Sequence, residues 1–134
     1  MDRIETAPIN QGSKGKWIRI ALIILVIEKI IQHVAVTLAF YANWGDIRTT
    51  VAVNPDFLMI AGALVAILFG LSLWGLLARK LWASSLIIGL ALVDIFGEFM
   101  AQGRLGITLN VSFIVAVVLL ILSLVYRRQE RRSV

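Results

Sequence analysis

The sequence predicts an all-α polytopic membrane protein, with four transmembrane helices in an antiparallel bundle and both termini cytoplasmic. Three observations lead there. First, 60% of the 134 residues are hydrophobic and 16% charged, with a mean hydropathy of +0.91; a soluble domain is nearer half apolar and a quarter charged. Second, four apolar runs follow one another, each close to the ~20 residues that cross ~30 Å of hydrocarbon as a helix. Third, Lys and Arg gather at one side of the expected topology. Irregular backbone is not viable against lipid, so the runs must be helices, and the alternating pattern of a membrane β-barrel is absent.

Residues 1–16, with Pro8, Gly12 and Gly15 and no apolar period, are expected to form a flexible cytoplasmic tail. The transmembrane domain covers 17–126, with spans over about 17–42, 55–78, 82–102 and 107–126, and a basic cytoplasmic tail occupies 127–134. The basic front of span one resembles that of a signal peptide. The run is long, however, holds Glu28 and Lys29, and is followed by no prompt small-x-small cleavage site, so it is expected to be retained. Span two opens with Asn54-Pro55-Asp56: an N-cap side chain, a proline suited to the first helical position and an acid beside the positive helix end. The joints after Ala78 and Gln102 are short, so successive helices should be antiparallel neighbours. The Ile47–Val53 stretch of the longer first loop alternates weakly, which suits a short strand or cap, although a plain loop is expected.

Orientation follows from Arg3, Lys14, Lys16, Arg19, Arg79, Lys80, Arg127, Arg128, Arg131 and Arg132 on one side, against Arg48 and Arg104 on the other. The positive-inside rule makes the first side cytoplasmic. Trp17, Trp82 and Tyr126 then form the inner aromatic belt, and Tyr41 and Trp44 the outer. The net charge of +5 is thus largely a topology signal, and no nucleic-acid partner is expected. The lipid bilayer is the expected surrounding, with a second copy of the chain or a larger membrane complex as candidate partners. The absence of cysteine excludes disulfides and thiolate metal sites.

Small residues recur at four-residue spacing: Gly62, Ala66 and Gly70 in span two, and Ser85, Gly89, Gly97 and Ala101 on a similar grid in span three. Such stripes let helix backbones approach in lipid, and packing within the chain is favoured over oligomerisation. Span four, polar only at Thr108, Asn110 and Ser112, reads as a plain scaffold helix.

The chemistry lies in the ionisable residues within the spans. Glu28, Lys29, Gln32 and His33 occupy an arc of roughly 140° on span one at 100° per residue, and Asp94 and Glu98 are four apart on span three. Spans one and three enter from the same side. Lys29 and Asp94 each lie about 18 Å along their helices from Trp17 and Trp82, and His33 and Glu98 about 24 Å. Level entry predicts a ladder, Lys29–Asp94 and His33–Glu98. Intramembrane charges cost roughly 2.5–3.5 kcal/mol each on insertion scales and normally pair or line a cavity. Three acids against Lys29 and His33 leave Glu28 over. A protonated carboxyl, a bound cation at Glu28, Asp94 and Glu98, or a second subunit would each restore balance; the metal, if any, is left open, and no cofactor is otherwise expected. A single histidine rules out bis-histidine haem ligation and makes a di-iron carboxylate bundle improbable. No P-loop, dinucleotide fingerprint or nucleophile motif is present, so nothing calls for catalysis.

The segment from Leu73 to Ala83, with its Arg79-Lys80-Leu81-Trp82-Ala83 joint, and the following Asp94-Ile95-Phe96-Gly97-Glu98-Phe99 resemble small, uncharacterised four-helix prokaryotic integral membrane proteins. The resemblance covers spans two and three and implies architecture, not an activity; the location expected for the chain is the prokaryotic inner membrane. Glu28 in the first of four helices is also similar to the embedded Glu of small multidrug transporters. The adjacent Lys29, the acidic third span and the longer outer loop depart from them, so the likeness is one of analogy. Two functions are compatible with the residues. In one, a polar site between spans one and three binds a proton, cation or small polar ligand, as in a transporter or channel component. In the other, the chain is a non-catalytic accessory or assembly subunit whose polar residues hold helices together.

Overall fold

The computed structural model describes residues 11–102 and 111–132. Four long helices account for most of them: α1 (Gln11–Ala42), α2 (Pro55–Leu77), α3 (Trp82–Gln102) and α4 (Val111–Arg132). All four are long and apolar enough to cross a membrane, and no strand occurs among the described residues. The fold class is therefore the expected one. The helices pack in the cyclic order α1, α2, α3, α4, with α1 against α2 the most extensive contact, so α1 and α3 face one another across the diagonal.

The chain alternates direction. Arg19 near the start of α1 donates from Nε and Nη2 to the carbonyl of Leu76, at 3.1 and 3.0 Å, and from Nη2 to that of Leu77 at 3.2 Å. These carbonyls at a helix C-terminus have no intrahelical partner, and a cation there also complements the helix dipole. Ser84 at the start of α3 donates to Glu130 Oε2 near the end of α4 at 2.9 Å. Lys14, Lys16, Arg19, Arg79, Lys80 and the four arginines of α4 thus share one end of the bundle.

Both outer helices run further than their hydropathy suggests. α1 begins at Gln11, inside the segment expected as a tail, and α4 stays helical to Arg132. A Cβ on Gly15 would lie 3.3 Å from Gln129 Oε1, so these two extensions touch. Residues 1–10, 103–110 and 133–134 lie outside the described residues, which takes in Arg3, Arg104 and the start expected for span four.

The α2–α3 joint is tight. Arg79 takes a left-handed backbone (φ 55°), and Lys80 N–H donates to Gly75 O at 2.8 Å, closing the end of α2 in the manner of a Schellman turn. At the other end, Asn54 caps α2 by accepting from Asp56 N–H at 2.8 Å, with Pro55 in the first turn as expected. The first loop is neither a strand nor plain. Trp44–Thr49 forms 3-10 turns, with Asn43, Gly45 and Asp46 left-handed, a conformation that Gly, Asn and Asp adopt most readily. Arg48 ties the turns down by pairing with Asp56 and donating to Phe40 O. Ala52 N–H reaches Ala101 O on α3 at 3.2 Å, so the loop caps the bundle.

An apolar core of Leu22, Val26, Phe69, Leu76, Ala83, Ile87, Leu90, Ala91 and Leu119 fills the basic half. In lipid such packing acts through close contact and not through exclusion of water. The close approaches occur at two glycines. A Cβ on Gly62 would meet Thr37 Oγ1 at 3.0 Å, and one on Gly75 would meet Trp82 Cη2 at 2.8 Å and the Ala83 Cβ at 2.9 Å. Ala66 is buried. Gly70, Gly89 and Gly97 mark no such approach: a Cβ on any of them meets nothing within 4 Å among the described residues. The four-residue grid continues past the contact because helix pairs cross at an angle and separate, and spacing alone does not say where.

Candidate functional site

Above the apolar core the bundle turns polar. Lys29, from the middle of α1, has no exposed surface at all. Its Nζ lies 2.6 Å from Asp94 Oδ2 across the diagonal, so the first rung of the ladder is present. The ammonium also donates to Gln32 Oε1 at 2.9 Å, to Ser112 O at 3.0 Å and to Ser112 Oγ at 3.2 Å. A lysine ammonium has three protons, and here three acceptors take them. The Asp94 carboxylate, at 2.6 Å, supplies the compensating charge. Three helices thereby converge on one atom.

The second rung differs from expectation. His33 Nε2 lies 3.1 Å from Asp94 Oδ1, not against Glu98. His33 Nε2 makes no aligned hydrogen bond there. The imidazole is stacked on the buried Phe69 of α2, with centroids 5.8 Å apart and planes at 24°. The physical reason for the shift is the diagonal placement of α1 and α3. One carboxylate in the middle offers two oxygens, and Lys29 and His33, on one face of α1, approach one each. Glu98 has an interaction of its own.

Glu28 belongs elsewhere. It lines a shallow recess with Ile24, Ile27, Ile31 and Gln32, all from α1. The three isoleucines are exposed, so this face points away from the bundle. Glu28 Oε2 is nevertheless buried and has no hydrogen-bond partner among the described residues. Gln32 stands between the two environments, its Oε1 bonded to Lys29 and its side chain lining the recess. The structure thus unites Lys29, Gln32, His33 and Asp94 and leaves Glu28 outside. Among the described residues no group of three His, Asp or Glu side chains is placed to hold a metal ion.

Ser112, Arg19 and Gly75 contribute in ways that sequence reasoning misses. Ser112 is one of three polar residues at the outer end of span four, and that polarity is the signal that the helix is not a plain scaffold. Arg19 reads in sequence only as a topology charge, and Gly75 lies off the four-residue stripe.

No protein-family model, curated protein or solved structure matches this chain. Its function therefore rests on the polar centre, the outward acid and the basic end themselves.

Proposed function

We propose that the chain is a small multi-pass protein of the prokaryotic cell membrane, with both termini cytoplasmic, that serves as a non-catalytic subunit. It docks a partner's transmembrane helix on the outward face of α1. The observation that carries this reading is Glu28, a carboxylate with a buried, unpartnered oxygen on a lipid-directed face. An acid in hydrocarbon calls for a cation or a proton. The cation is the choice here because the flanking Ile24, Ile27 and Ile31 form a helix-packing stripe. A second copy does not supply it: among the described residues the one lysine at mid-span depth is Lys29, already saturated. The partner helix must carry its own Lys or Arg at the depth of Glu28.

The polar centre fits the same role. Its formal charges on Lys29 and Asp94 cancel and its ammonium protons are all accepted, which makes it a register pin between helices. The transport reading draws on Glu28 as well: held as a neutral acid it would be a proton site.

A vesicle assay separates the two. A leucine-rich transmembrane peptide with one central lysine is labelled for energy transfer to the full-length chain. Association stronger than with the lysine-free peptide, and lost in Glu28→Gln, is the expected outcome. Equal association of both peptides, with proton release abolished in Glu28→Gln, would favour the proton site instead.

A further inference from the structure

The basic end carries a second feature that neither Glu28 nor the polar centre explains. Leu81, Trp82 and Ser85 at the start of α3, with Arg127, Glu130 and Arg131 near the end of α4, line one groove. We propose that this groove binds the headgroup of one anionic phospholipid.

The cations come from α4. Because the helix continues past Tyr126, Arg127 and Arg131 stand one turn apart on the same face, turned toward the first turn of α3. Neither guanidinium is within ion-pair distance of an acid among the described residues, although Arg127 is close enough to Glu130 to attract its carboxylate. Glu130 shares the groove, but its Oε2 accepts from Ser84 Oγ at 2.9 Å. Two cations therefore stand against one engaged acid. The α3 N-terminus adds the partial positive charge of the helix dipole. The remaining wall is apolar: Leu81 is 63% and Trp82 40% exposed.

That mixed lining selects the source of the phosphate. A soluble anion has no use for an exposed leucine and indole, whereas a phospholipid places an acyl chain beside them and its phosphodiester between the arginines. Tryptophan at the end of an apolar span also sits at headgroup level. The site needs only that the spans cross a bilayer, so it is independent of Glu28 and of which leaflet the basic end faces.

Native mass spectrometry of the full-length protein tests this, with phosphatidylglycerol and phosphatidylcholine supplied in equal amounts. Preferential retention of phosphatidylglycerol is expected. Arg127→Gln with Arg131→Gln should lower the preference about thirtyfold, and either single change about fivefold, since each basic residue near an anionic surface contributes about 1 kcal/mol. The single variants carry the test if the double variant does not fold. Arg128→Gln with Arg132→Gln removes the same charge from the same helix outside the groove and should leave the preference intact. No preference in the wild type, or equal loss in both double variants, overturns the proposal. Displacement of the lipid by excess inorganic phosphate identifies a free-phosphate site and overturns it as well.

Discussion

Glu28 and Lys29 are adjacent in sequence, and their surroundings are opposite. A step of 100° around α1 carries the chain from an outward face of isoleucines to the centre of the bundle. Lys29 meets a carboxylate and three acceptors from Gln32 and Ser112. Glu28 has a buried oxygen with no hydrogen-bond partner among the described residues. A charge that is fully matched within its own chain is a structural element. A charge left unmatched in an apolar setting points to something outside the chain. The difference separates residues that hold this fold together from the one on which the proposed partner contact rests.

The comparison is broken most forcefully at Lys29. Lys29→Met leaves Asp94 buried without its cation and should cost about 3–5 kcal/mol, read as a shift in reversible unfolding in mixed micelles. Adding Asp94→Leu removes the orphaned charge and should restore most of that loss. Failure of the second change to restore stability would mean that the pair is not the pin.

Much of this centre is legible in the amino-acid sequence. Equal depths along α1 and α3 point to the Lys29–Asp94 pair, and hydropathy with basic flanks points to four helices of alternating direction. What depth does not contain is lateral position. The diagonal relation of α1 and α3 brings His33 to Asp94 and away from Glu98, and it lets α4 insert Ser112 beside Lys29. Nor does a four-residue spacing of glycines reveal where two helices diverge. Gly62 lies at a close approach and Gly70 does not, although both stand on the same stripe. The ordered first loop depends on Arg48 reaching Asp56 and Phe40 O, contacts that hydropathy does not register.

Smaller effects sharpen the contrast between inside and outside. Gly75→Ala drives a methyl group into Trp82 and Ala83 and should cost about 1–3 kcal/mol, whereas Gly89→Ala, with open space around it, should stay within about 0.5 kcal/mol of the wild type. Paired thermal melts check both. Ser112→Ala removes one acceptor from a buried ammonium whose other partners remain, for an expected loss of about 1 kcal/mol in the same micelle unfolding assay. A neutral result there would place Ser112 outside the pin.

Neighbouring charges on α1 do different work, and side-by-side unfolding of Glu28→Gln and Lys29→Gln in one detergent tests this most directly. The expected result is a change of at most about 0.5 kcal/mol for Glu28→Gln and a loss of about 3 kcal/mol or more for Lys29→Gln. Equal losses in the two variants would put Glu28 inside the structural core and contradict the division of roles.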